Sequence, residues 1–200
     1  MRHPPITQKI ITELSDTQLP LSFSALQPTT LPHTTALFNE VLRLYPPVPI
    51  ELKECTTPTT FPDGTQLPKG AIVIWATWAM GRSKNIWGED ADEFRPERWL
   101  VGGEKGGETT VKSMGAFEFP VFNGGPRSCL GKRMAELLAV CVVARLVWRY
   151  EFDEVVDGKL NLGEKPGERQ SQNSLTLPMA GGLPCRVRQR EHEHSIMQPK

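Results

Sequence analysis

Residues 122–132, FNGGPRSCLGK, set Cys129 among Phe122, Gly124, Gly125, Arg127 and Gly131. The apolar segment that follows, KRMAELLAVCVVARLVWRY, has the length and composition of a helix. Cys129 therefore stands near a helix start, where free backbone N–H groups and the positive end of the dipole favour thiolate over thiol. The glycines remove side chains around the sulfur, so something broad and flat can approach the backbone. Arg127 offers a guanidinium fork suited to a carboxylate. A thiolate, a flat approach and a carboxylate-binding arginine together describe an axial haem ligand. Taken alone, Cys129 also fits a small buried hydrophobe, the commoner fate of a free cysteine. A nucleophile is the third option, but only His3 and His33 precede it, and neither is placed to activate it.

Two further groupings could carry charge chemistry. Glu40 and Arg43 are spaced i, i+3 on one predicted helix; such pairs are usually exposed and worth under about 1 kcal/mol. In ADEFRPERWL, residues 91–100, Arg98 follows a proline turn flanked by Phe94 and Trp99, which by itself could be ordinary packing. Cys55, Cys129, Cys141 and Cys185 form no CxxC pair, which argues against a zinc site and gives no case for a disulfide framework. His192 and His194 sit in a polar C-terminal stretch without further ligands and read as solvent-exposed.

The elements that must position these residues follow from periodicity and breakers. PPITQKIITELSD, residues 4–16, predicts a short helix opened by Pro4 and Pro5, with Ile6, Ile10, Ile11 and Leu14 at helical spacing. Residues 17–32 hold Pro20, Pro28 and Pro32 and read as loop. TTALFNEVLRLYPP predicts a second helix with Thr34 or Thr35 as N-cap and Leu37, Val41 and Leu44 as its apolar stripe. Pro46-Pro47 ends it and pushes Tyr45 toward extended geometry. Asp63-Gly64 and Lys69-Gly70 mark turns, and AIVIWATW after them reads as a buried strand. Residues 101–115 are glycine-rich and polar and predict a flexible surface loop. The apolar helix after Cys129 is predicted to be largely buried, and loop and short strand follow it.

Two hundred residues suffice for one domain with a core, while 38% hydrophobic content, 18 prolines and 17 glycines indicate much irregular chain. Lys+Arg and Asp+Glu balance at 23 each, so nothing points to nucleic acid or an anionic membrane surface. No targeting segment is visible at MRHPPITQKI, and AIVIWATWAM is too short to span a bilayer.

Glu40-x-x-Arg43, then FRPERW, then the complete F-x-x-G-x-R-x-C-x-G signature of Phe122, Gly125, Arg127, Cys129 and Gly131 resembles the cytochrome P-450 family of haem-thiolate monooxygenases. The resemblance implies a mainly α fold with small β-sheets, the C-terminal part of that family's fold and incomplete. Residues 1–188 would be its haem-binding portion and 189–200 a polar tail. Cys129 would be the proximal iron ligand of haem b, Phe122 would pack near the haem, and Arg127 would pair a propionate. Lys53 falls where many relatives carry an arginine reaching a propionate. Glu40, Arg43 and Arg98 would form a buried charge network locking the haem-binding core.

The family's complete domain is about two to three times this length, so the resemblance implies a C-terminal fragment or truncated product. The central helix with its acid–alcohol pair, most substrate-recognition segments and an N-terminal membrane anchor would lie outside it. Such a chain would expose an apolar face and be aggregation-prone and inactive alone, or persist as a non-catalytic protein binding haem weakly or not at all. The whole protein would use an apolar small-molecule substrate, O2 and an electron-donating reductase, with Lys132 and Arg133 offering basic contacts to that reductase. Its location would be the cytosolic face of the endoplasmic reticulum membrane. WAMGRSKNIWGEDADEFRPERWL, with Gly81 where many relatives have histidine, is similar to the branch that ω-hydroxylates fatty acids and alkanes.

Overall fold

The proline pair that opens the first helix sets the pattern for much of the chain: breakers stand where elements begin or end. The computed structural model describes residues 3–17, 21–103, 108–156, 159–160, 171–172, 174 and 176–191. Helix α1 (Pro4–Ser15) starts on Pro4, whose fixed φ suits a first turn and whose absent N–H leaves nothing unpaired there. Helix α2 (Pro32–Leu44) also starts on proline, two residues before the predicted cap. Thr34 and Thr35 are buried inside the helix, and Leu31 holds the N-cap position without a side-chain acceptor.

The acceptor comes from α1 instead. Glu13 Oε1 takes the His33 N–H at 2.6 Å, and its Oε2 takes the Thr34 N–H at 3.1 Å and the Thr34 hydroxyl at 2.6 Å. One helix thus caps the next, which sequence spacing within either helix cannot show. Burial pushes the Glu13 carboxyl above its ordinary value, against the pull of these hydrogen bonds. Tyr45 ends α2 outside the helical region, at φ −129° and ψ 60°, with Pro46 buried behind it. Of the predicted apolar stripe, Leu44 is buried and Leu37 packs against the core, whereas Val41 is exposed; Glu40, Leu42 and Arg43 are buried as well.

Small antiparallel sheets follow. Strands β1 (Glu51–Glu54), β2 (Thr59–Thr60), β3 (Gln66–Leu67) and β4 (Ile72–Trp75) form two pairs, β1 with β4 and β2 with β3. Gly64 and Gly70 adopt φ of 87° and 84°, the turns predicted at those positions. Glu51 lies opposite Trp75 and Lys53 opposite Val73, so these four share one face of the β1–β4 ribbon. The strand predicted over AIVIWATW is β4, but it is not buried, with Ile72 and Ile74 61% and 63% exposed. The ribbon has two strands, and the face carrying Leu52, Ile72 and Ile74 is open.

Single turns α3 (Thr77–Met80) and α4 (Lys84–Trp87) lead to a 3₁₀ turn at Pro96–Trp99. Strands β5 (Leu100–Gly102) and β6 (Thr109–Val111) then pair within the stretch predicted as a flexible surface loop. Val101, Thr109, Thr110 and Val111 are β-branched, and their propensity outweighs the glycines between them. Helix α5 (Lys132–Arg149) runs directly into β7 (Tyr150–Val156), which pairs with β8 (Lys159–Leu160) and β9 (Cys185–Gln189) in the order β8-β7-β9. Strand β9 runs through Gln189, and Arg190 is held by Glu151 Oε1 at 2.8 Å. Residues 192–200 of the predicted tail, with His192 and His194, lie outside the described residues.

The apolar core forms where α1 and Leu31 meet α5: Ile10, Leu14, Leu31, Val140, Ala144 and Val147. Burying each large aliphatic side chain there contributes about 1.5–3 kcal/mol. The rest of α5 departs from the prediction of a largely buried helix. Met134, Leu138 and Val142 form an i, i+4 row that is 70%, 60% and 45% exposed, continuing from Leu130 just ahead of the helix. Among the described residues, no helix is long and apolar enough to cross a membrane.

Candidate functional site

Glu40 and Arg43 are not the exposed pair that i, i+3 spacing suggests; both are completely buried. The α2 backbone places them one turn apart, and the segment 81–99 wraps over them. Arg43 Nε and Nη2 donate to the two carboxylate oxygens of Glu40, each at 2.8 Å, in a fork. Its other N–H groups go to backbone oxygens: Gly81 at 2.5 Å, Glu93 at 2.9 Å, and Ala91. Every donor of the guanidinium is used. Gly81 is required for this approach, because a Cβ there would lie 2.1 Å from the Arg43 carbonyl oxygen.

Glu40 is equally saturated. Beyond Arg43, it accepts the Arg95 N–H at 2.8 Å, Arg98 Nε at 3.1 Å and Trp99 Nε1 at 2.9 Å. Burial pushes its carboxyl up, but the hydrogen bonds from Arg43, Arg95 and Trp99 and the Arg43 charge outweigh it, holding Glu40 below its ordinary value. Arg98 reaches on to the Asp90 carbonyl at 2.9 Å, Asp90 Oδ1 at 3.3 Å and the Trp87 carbonyl at 3.2 Å. The structure thus brings Glu40, Arg43 and Arg98 together. It adds three participants that sequence reasoning passed over: the Trp99 indole, the Arg95 amide and Asp90. The adjacency of Trp99 to Arg98 was the available signal, and only the third dimension turns it from packing into a donor.

An aromatic cluster joins this network to the cysteine segment. The Trp87, Trp99 and Phe119 rings lie 4.8 to 6.1 Å apart, tilted or edge-on. Phe119 immediately precedes buried Pro120, which opens a 3₁₀ turn over Pro120–Phe122; a second covers Gly125–Arg127. The Cys129 N–H donates to the Phe122 carbonyl at 2.8 Å, closing the loop between them. Gly125 has φ of 63° with open space around it, and Gly131 caps α5 with its Cβ position 3.9 Å from the Cys129 sulfur. Gly124 is pressed against Ala116. Cys129, Phe122, Gly125 and Gly131 therefore form one turn, with the sulfur exposed two residues ahead of the N-cap of α5.

Arg127 and Lys53 stand apart from that turn's internal bonds. Arg127 is exposed and forms no ion pair among the described residues. Lys53 sits on β1 with its ammonium 5.8 Å from the Trp75 ring centroid, and likewise forms no ion pair among the described residues. One contact was not anticipated: Asn123 Nδ2 donates to Glu51 Oε1 at 3.3 Å, tying β1 to the cysteine turn.

The sequence profile of the cytochrome P450 family matches residues 1–174. The chain is 44% identical over 155 residues to Cytochrome P450 CYP94D108 of Paris polyphylla, covering 78% of this chain and 29% of the relative. It is 35% identical over 190 residues to Cytochrome P450 94A1 of Vicia sativa, covering 95% of this chain and 35% of the relative. With Cytochrome P450 86B1 of Arabidopsis thaliana the identity is 47% over 148 residues, 74% of this chain and 24% of the relative. The chain spans about a quarter to a third of the length of these curated relatives. Its saturated Glu40–Arg43–Arg98 network, its exposed cysteine turn and a profile match over most of its residues agree, and the chain belongs to the cytochrome P450 family.

Proposed function

We propose that residues 1–188 are the haem-thiolate portion of a monooxygenase that hydroxylates an apolar substrate with O2 and electrons from a reductase. The observation that carries this reading is the exposed Cys129 sulfur at the head of a turn held by its own amide and the Phe122 carbonyl. The residues present fit haem b. Cys129 would hold the iron, and Arg127 and Lys53 would meet the propionates. Phe122 would pack beside the macrocycle, and Gly125 and Gly131 keep its approach clear. When bound, the haem supplies O2 activation for inserting one oxygen atom into a C–H bond, with electron density pushed from the thiolate.

This chain's own residues position and shield. The Glu40–Arg43–Arg98 network fixes segment 81–99, and Trp99 against Phe119 carries that rigidity to the start of the cysteine turn. Cys129 is exposed, and an unshielded thiol supports the reading that the chain alone would not turn over substrate. Lys132 and Arg133, exposed on the first turn of α5, support a docking face for an acidic reductase surface. The resemblance of segment 78–100 supports a fatty acid or alkane hydroxylated at its ω end. The full-length relative would lie at the cytosolic face of the endoplasmic reticulum membrane.

A second reading, a non-catalytic chain that binds haem weakly or not at all, is favoured by the outward apolar row Leu130, Met134, Leu138 and Val142. One experiment separates the two. The carbon monoxide difference spectrum of the reduced, haem-reconstituted chain is expected to show a strongly red-shifted Soret band that vanishes in Cys129→Ala. The absence of that band in the unsubstituted chain would overturn thiolate ligation and leave the second reading.

A further inference from the structure

Asn123 is the one non-glycine described residue at positive φ, with φ 57° and ψ −174°. That combination belongs to a backbone region that is essentially glycine-only, and a side-chain-bearing residue stays there only when its surroundings over-determine it. Three groups do so. Its own N–H donates to the Pro120 carbonyl at 2.9 Å, its preceding carbonyl (Phe122) accepts the Cys129 N–H at 2.8 Å, and its Nδ2 donates to Glu51 Oε1 at 3.3 Å. The first two lie within the turn itself. The third reaches across from β1, a strand 72 residues away in sequence.

From this arrangement we infer that Glu51 is a positioning residue for Cys129, acting through Asn123. The Phe122–Asn123 peptide turns about the Asn123 N–Cα bond, so a change in that φ swings the Phe122 carbonyl away from the Cys129 amide. The Glu51 carboxylate resists that rotation by holding the side chain at the far end of the same residue. The β1–β4 ladder makes Glu51 a stiff anchor: it lies opposite Trp75 and on the same face as Lys53. Lys53, on the same strand as Glu51, is thereby tied to the turn through the Asn123–Glu51 hydrogen bond.

The inference rests on the haem-thiolate reading only in making Cys129 the group worth positioning; the bond and its effect do not require haem. The test is backbone amide hydrogen exchange on the whole haem-free chain, read at Cys129 and at the β1–β4 ladder. In Glu51→Leu the Cys129 amide is expected to exchange about tenfold faster or more, with ladder protection unchanged. Glu51→Gln keeps a carbonyl acceptor and is expected to restore exchange to within about twofold. Asn123→Asp leaves β1 untouched, sets two carboxylates against each other, and is expected to match Glu51→Leu. In an Asn123→Gly background, where the φ carries no strain, adding Glu51→Leu is expected to change nothing further.

Unchanged Cys129 exchange in both Glu51→Leu and Asn123→Asp would overturn the inference. So would a tenfold effect of Glu51→Leu persisting in the Asn123→Gly background. A chain that passes these tests yet shows no red-shifted carbonyl band has lost the haem-thiolate reading and kept the positioning contact. A chain with the band and unchanged exchange has done the reverse.

Discussion

The buried Glu40 network and the Cys129 turn are neighbours joined through Trp99 and Phe119, yet they are built on opposite terms. Glu40 and Arg43 are matched inside the chain: five hydrogen bonds converge on the one carboxylate, and the Arg43 guanidinium has no free N–H. Around Cys129 the sulfur and Arg127 face solvent, and the apolar row Leu130, Met134 and Leu138 runs beside them. The first region is finished by folding. The second is left open to solvent. Under the haem-thiolate proposal stability belongs to the network and chemistry to the turn, and substitutions in the two should separate those properties.

The largest separation is expected from Glu40→Ala set against Cys129→Ala. Removing Glu40 strands Arg43 as an uncompensated buried charge and leaves the Trp99 indole and the Arg95 amide without acceptors. Breaking a buried pair in this way costs about 3–5 kcal/mol. Urea unfolding followed by circular dichroism should show the midpoint collapse or the chain already unfolded in water. Cys129→Ala removes an exposed sulfur and should shift stability by about 0.5 kcal/mol or less. Equal losses in the two variants would abolish the distinction between a structural and a chemical region.

Acid comes next, because it attacks the same carboxylate without a mutation. Glu40 is held below its ordinary value, so its folded state favours the ionised form. That contribution is present above the unfolded value of about 4.3 and is lost as pH falls through the lower, folded value. Glu13 runs the other way, since burial raises it: its contribution is complete below the unfolded value and is lost as pH rises through the raised one. The urea midpoint measured from pH 7 down to pH 3 should therefore rise slightly near Glu13's window and then fall steeply. In Glu13→Gln the early rise should vanish and the acid fall remain.

How much of this was legible beforehand differs between the two regions for a physical reason. The cysteine turn is local: Phe122 through Gly131 are adjacent in sequence, and glycine, proline and arginine declare their geometry by type. The network is non-local. Glu40 and Arg98 are 58 residues apart, so spacing alone could rank Glu40–Arg43 only as an exposed pair. Resemblance to a family, not periodicity, placed all three charges together. Helix existence was readable at α1 and α2, where prolines and apolar spacing agree, and at α5 from its length and composition. Burial was not. The periodic residues of α5 and β4 are apolar, but whether an apolar residue is covered depends on what packs over it, and Ile72, Ile74 and Leu138 remain largely open. The cap of α2 was missed because its acceptor, Glu13, belongs to another helix.

Within the network, Trp99→Phe tests whether the indole is a donor or merely packing. Phenylalanine keeps an aromatic ring beside Trp87 and Phe119 but removes the N–H that Glu40 Oε2 accepts at 2.9 Å. Losing a hydrogen bond to a charged group is expected to cost about 1.5–3 kcal/mol, with some further loss from the smaller ring. Because Glu40 would then hold one donor fewer, its acid transition should move to higher pH. A midpoint shift without that change would assign Trp99 to packing alone.

The smallest effect is expected at the open surface. Leu138 is 60% exposed on α5, in the row with Met134 and Val142. Leu138→Lys exchanges one strong helix former for another and removes little buried area, so the urea midpoint should move by about 0.5 kcal/mol or less. What should change is self-association: a charge in the middle of an apolar row breaks the contiguous patch that would otherwise bring chains together. Sedimentation of the two proteins across a range of concentrations reads this directly, with the lysine variant staying monomeric where the original associates. If instead Leu138→Lys destabilised the chain by several kcal/mol, the row would be packed in solution, and the contrast between a finished network and an open thiol face would fail at the face.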